Sequence, residues 1–139
     1  MSGHPSFTSP LRWQTRLADA VAAARADGRV IVVVHGATTC NGTRLMVERT
    51  MAKEELVELV EAQLVPLASR AEATEPEIEA LLAGLPRRAP SPVLLYLAAE
   101  EGGPRLVHAT VNGRAPAVLL NDMLDAVSAA KRGGRVELG

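Results

Sequence analysis

Residues 30–34 read Val-Ile-Val-Val-Val, a run that is β-branched throughout and has no polar alternation. Such a strand has to be covered on both faces, which demands a sheet with helices in front of it and behind it. The flanking residues agree. Upstream, Ser9-Pro10 is a helix-opening pair, and Trp13, Leu17, Val21 and Ala24 then fall on one face, so a helix is predicted over 11–27 with Gly28 as its stop. Downstream, His35-Gly36-Ala37-Thr38-Thr39-Cys40-Asn41-Gly42-Thr43 is a polar loop that feeds a second helix carrying Leu45, Met46, Leu56, Val57, Leu59 and Val60. A break is expected near Thr50, which can cap a fresh turn at Lys53-Glu54-Glu55. Cys40 therefore sits near a strand-to-helix junction.

Leu64 to Ala68 reads as a short strand, and Thr74-Glu75-Pro76-Glu77 has the spacing of a capping box that opens a short helix with Ile78, Leu81 and Leu82 inward and Gly84 as its end. A proline-rich connection over 87–92 enters the strand Val93 to Leu97. The turn Glu100-Glu101-Gly102-Gly103 then returns the chain into an antiparallel partner over 105–111. Pro116 opens a last helix with Val118, Leu119, Met123, Leu124 and Val127 on its inner face. The order is a βαβ unit followed by a ββα unit. It predicts an α/β fold, a four-stranded mixed sheet flanked by helices on both faces. The expected organisation is a flexible segment over 1–10, one domain over 11–131 and a loosely held tail over 132–139.

Composition narrows the function classes. A chain of 139 residues, 47% hydrophobic, is one globular domain, and its net charge of -1 names no nucleic-acid partner. Phe7, Trp13 and Tyr96 are the only aromatics, too few for a base-stacking platform. A lone cysteine, Cys40, cannot form an internal disulfide or a multi-cysteine metal site, so its sulfur chemistry must be intermolecular. No pair among His4, His35 and His108 shares ligand spacing with Cys40 or a carboxylate, and no metal or cofactor is expected. The first ten residues lack a signal-peptide core, and the longest apolar runs fall far short of the roughly 20 residues of a membrane span. The expectation is a cytoplasmic protein with no membrane or nucleic-acid partner.

With its Trp13 helix, its strand running into the Cys40 loop, its capped helix after Thr74 and Ser91-Pro92-Val93 opening a hairpin strand, the chain resembles the thioredoxin superfamily over roughly 11–130. The resemblance implies a thioredoxin-like fold with Cys40 at the position of the attacking cysteine and Thr43 where the second cysteine would stand, giving Cys-Asn-Gly-Thr. It also implies that Ser91-Pro92 is the cis-proline loop that docks an extended client beside the thiol, with Thr39 at the neighbouring position usually held by Trp. The family's buried acid, six residues before the cysteine, is here Val34.

At a helix N-terminus a thiol meets unsatisfied amide groups and the positive dipole end, which favour the thiolate. Attack on a disulfide gives a mixed disulfide. Thr43 can donate a hydrogen bond to sulfur but cannot displace it, so an outside thiol has to release the product. Two functions follow. One is a monothiol exchange protein that joins client proteins or a small thiol through Cys40, with Thr43 as its neighbour and Ser91, Pro92 and Thr39 as the docking surface. The other is a redox-inactive interaction module using the same surface. Bland alternatives stand beside these: Cys40 as a small buried residue, His35 as a hydrogen-bonded spacer, Thr38 and Thr39 as caps of the second helix, and Arg87-Arg88 as a solvated pair. Other cysteine chemistries fail on spacing. A phosphatase loop needs Arg at the position of Met46, and a peroxide site needs Thr at the position of Ala37.

Overall fold

The β-branched run becomes the interior of the sheet. In the computed structural model, which describes residues 3–85, 92–110, 115–134 and 136, β1 (Val30–Gly36) lies between β2 (Leu64–Arg70) and β3 (Val93–Glu100), and β4 (Gly103–Thr110) completes the order β2-β1-β3-β4. The β1–β2 pair is parallel, with Gly36 opposite Arg70; β1–β3 and β3–β4 are antiparallel. This is the mixed sheet that the sequence predicts.

Alternation along β1 splits the core in two. Val30, Val32 and Val34 pack with Met46 and Val47 of α2 (Asn41–Glu48), with Leu56 and Val60 of α3 (Glu54–Gln63) and with Leu119 and Met123 of α5 (Pro116–Lys131). Ile31 and Val33 pack on the opposite side with Leu17 and Ala20 of α1 (Leu17–Asp27) and Ile78 of α4 (Pro76–Ala83). Both faces of the strand are thus covered, as an unbroken apolar run requires.

The first helix starts later than predicted, at Leu17 rather than 11, and Trp13 precedes it. Ser9 does not cap it: its Oγ instead accepts from Trp13 Nε1 (2.8 Å) and from the Leu11 amide (3.2 Å), a local arrangement that competes with helix. The stretch between is extended. Gln14 makes a single parallel bridge to β2, donating its amide to the Pro66 carbonyl and accepting from the Ala68 amide, both at 2.9 Å. Pro66, which has no N–H to give a ladder, fits because β2 has strand pairing on one side only and this bridge on the other. Farther upstream, the Gly3 amide donates to the Leu11 carbonyl and the Thr8 amide to Glu48 Oε2 of α2, while Leu11 and Trp13 are buried.

The expected break in the second helix is present as a 3-10 turn over Thr50–Ala52, but Lys53, not Thr50, occupies the cap position of α3. Likewise Glu75 rather than Thr74 precedes α4, and Thr74 Oγ1 turns back to the carbonyls of Arg70 and Ala71. The Glu75 carboxylate serves another helix, accepting the Leu17 amide at the start of α1 (2.8 Å). At the far end of the sheet a bulge frees Val107, whose carbonyl accepts the Val136 amide (2.8 Å), and Arg105 donates to the Gly134 carbonyl. The start of the tail is therefore tied to β4. Among the described residues no helix is long and apolar enough to cross a membrane.

Candidate functional site

The polar loop leaves β1 at Gly36, beside the end of β2, and turns once. The Cys40 amide donates to the Ala37 carbonyl (3.1 Å), and the Cys40 carbonyl accepts the Arg44 amide (3.1 Å), so Cys40 is the cap residue of α2. Its side chain makes no capping bond and is partly exposed. Cys40 thus stands at the helix start with intermediate exposure, so it is not the fully buried residue of the bland alternative.

Thr43, one turn into α2, is 3% exposed and packs directly on Gly36. A Cβ at position 36 would collide with Thr43 Oγ1 and lie 2.9 Å from its Cγ2, so the glycine is required for the helix to dock this close to β1. The Thr43 hydroxyl meets no partner with full hydrogen-bond geometry, yet it lies close enough to the sulfur to favour its ionised form. The Cys40 thiol is held below its ordinary range first by that hydroxyl and next by the Thr43 amide, with a smaller contribution from the Gly42 amide; partial burial opposes them. These are the interactions of a helix N-terminus with an anion.

The rest of the predicted set divides. Thr39 is exposed beside Cys40. Pro92 is buried and directly precedes Val93, which pairs with His35 at the end of β1, so it lies at the same end of the sheet as the Cys40 loop. Ser91, the Ser91–Pro92 bond, Arg87 and Arg88 fall outside the described residues. His35 Nδ1 bonds Ser69 Oγ (2.9 Å), and burial keeps its imidazole below the usual range against the opposing fields of Glu79 and Glu72. Neither Thr38 nor Thr39 caps α2. Thr38 instead gives both its amide and its hydroxyl to Glu72 Oε2, each at 2.9 Å. Among the described residues no three His, Cys, Asp or Glu side chains gather as metal ligands.

Sequence reasoning missed Gly36 and Glu72. Gly36 has a readable signal, a glycine ending a β-branched strand, which marks a close approach by another element. Glu72 lies 34 residues from its partner, and nothing local announces it.

A mixed sheet of order β2-β1-β3-β4 with a thiol at the first helix after β1 defines a thioredoxin fold, and the comparisons agree. The chain belongs to the thioredoxin-like family, whose model matches residues 12–99. It is similar in structure to a thioredoxin from Thermus thermophilus, with a TM-score of 0.68 and 23% identity over 82% of this chain and 85% of that one. A DsbH oxidoreductase gives a TM-score of 0.61 at 13% identity over 92% of each chain. Mitochondrial thioredoxin 3 from Saccharomyces cerevisiae gives 0.51 at 16% identity over 81% of this chain and 92% of that one. At these identities the likeness establishes the fold. No curated protein matches the sequence. The family and its fold point to a redox-related role.

Proposed function

We propose that this protein is a monothiol exchange protein that forms mixed disulfides with client proteins or a small thiol through Cys40. The observation that carries the reading is the partly exposed Cys40 at the N-terminus of α2, one turn before the buried Thr43, whose hydroxyl and amide favour the thiolate. In the reaction the Cys40 thiolate attacks one sulfur of a disulfide, a new S–S bond forms, and the other sulfur leaves as a thiolate that takes a proton from water. A second, external thiolate then attacks the mixed disulfide and returns Cys40 as thiolate. The two steps together exchange partners and consume no reductant beyond the external thiol. Thr43, which has no sulfur, excludes internal resolution. Thr39 and the Ser91-Pro92 segment supply the surface on which a client lies.

The test is the rate of Cys40 alkylation against pH, with mass analysis after incubation with oxidised glutathione. A midpoint clearly below the free-thiol value of about 8.5, one glutathionyl adduct and no adduct in Cys40→Ser are expected. Thr43→Val should move the midpoint up. A midpoint at or above the free value, or labelling only after denaturation, would transfer the assignment to an interaction module that uses the fold without its sulfur.

A further inference from the structure

The β1–β2 ladder ends with Gly36 opposite Arg70. Two residues beyond each of these stand Thr38 and Glu72, and the chains are no longer paired as strands there, because β2 passes into a 3-10 turn over Ala71–Ala73. A side chain continues the connection instead: one carboxylate oxygen of Glu72 accepts the Thr38 amide and the Thr38 hydroxyl together, both at 2.9 Å. Charge-assisted bonds of this kind are the stronger class, and two to a single oxygen fix both the backbone and the rotamer of the residue they hold.

What is fixed is the entrance to the site. Thr38 lies inside the single turn over 37–40, closed by the Cys40 amide on the Ala37 carbonyl, that leads into α2. Its other anchor is the contact of Thr43 with Gly36. The Cys40 side chain makes no capping bond of full geometry, so how closely its sulfur approaches the Thr43 hydroxyl and the first amides depends on the two anchors on either side of it.

We infer that Glu72 is a positioning residue for Cys40, its carboxylate pinning Thr38 within the turn so that the turn presents the sulfur to the first amides of α2 and to the Thr43 hydroxyl. The inference rests on the reading of Cys40 as the reactive thiol. It makes a counterintuitive statement about charge. An acid near a thiol, acting only through its field, disfavours the thiolate. An acid acting through the loop favours it, because it keeps the sulfur where the amides can reach.

Glu72→Ala and Glu72→Gln separate these two modes in the full chain, read by hydrogen exchange of the Thr38 amide and by the pH profile of Cys40 alkylation. Glutamine lacks the charge but keeps a carbonyl oxygen that can accept from Thr38. Positioning predicts that Glu72→Ala speeds Thr38 exchange by about tenfold or more, in line with loss of a bond to a charged acceptor, and raises the alkylation midpoint. It predicts that Glu72→Gln stays near the wild type in both. If both variants lower the midpoint, Glu72 acts by its field and the inference is overturned. A low wild-type midpoint that Glu72→Ala leaves unchanged also overturns it, and leaves the Cys40 reading intact. A wild-type midpoint at the ordinary thiol value overturns both.

Discussion

Gly36 and Thr43 meet where the strand hands over to the helix, and their contact is what a single added methyl would break. Gly36→Ala puts a Cβ against the buried Thr43 side chain, so something there has to shift. Overpacking of this kind costs about 1–3 kcal/mol, and a loss in that range is expected by urea denaturation. Because the clash is with the Thr43 hydroxyl and methyl, Thr43→Ala in the same chain should recover part of it; strictly additive losses would show that the two residues do not share the contact. At this scale the sequence is informative about one half of the site. Cys40 is legible because a strand, a polar loop and a helix in succession place it at a junction, and Thr43 through the family resemblance, which sets it three residues on. Glu72 is not, since its role depends on the parallel register of β1 and β2, which brings Thr38 and Glu72 together only once the sheet exists.

Helix boundaries show how tertiary partners displace local signals. Ser9-Pro10 has the chemistry of a helix start, yet Trp13 is near enough to take the serine oxygen, and Gln14 is drawn to the edge of β2. The helix then begins at Leu17, where no side chain of its own neighbourhood caps it. The acceptor comes from Glu75, 58 residues away. An anionic oxygen at a helix N-terminus satisfies one of its unpaired amides and complements the dipole. Glu75→Ala should therefore cost about 1 kcal/mol, the usual loss for a missing cap, whereas Glu58→Ala, on the exposed face of α3, should be close to neutral in the same urea titration. Equal effects would remove the capping role. The strands were more legible than the helix ends. Val30 to Val34, Val93 to Leu97 and the Gly102-Gly103 turn carry their own hydrophobic pattern and turn chemistry, whereas a cap supplied by another helix leaves no trace beside the residue it serves.

Across the molecule, acid weakens several attachments in the same direction. His4 lies against Phe7 and Trp13, each with ring centroids 5.0 Å away, and its Nδ1 accepts the Ser6 amide, a bond that only the neutral ring can take in this way. Burial lowers its pKa from 6.5 to about 4. Between those values the unfolded chain takes up a proton that the folded chain refuses, so the stabilisation is complete above pH 6.5 and declines as the pH falls toward 4. His35, also lowered by burial, acts with the same sign. Glu72, lowered by its bonds from Thr38, contributes above its unfolded pKa and is lost in acid as well. His4→Gln should flatten the fall in Tm between about pH 7 and about pH 5, the interval in which an ordinary histidine titrates; parallel curves for the two proteins would show that His4 is not held neutral by the fold. The overall arrangement, a mixed sheet between two helical layers, was readable from the order of apolar runs. The contacts on its edges were not, because among the described residues each is made by isolated residues rather than by a strand: Gln14 on β2 and Val136 on the bulge of β4. These two contacts differ in time. A chain emerging from a ribosome has Gln14 in hand before β2 is made, so that edge can be covered as it forms, while the bond that Val136 gives to β4 waits until some 26 further residues have followed Thr110, the end of the strand. An unpaired strand edge is a template for pairing with other chains, and of these two contacts the one on β4 is the later to protect its edge.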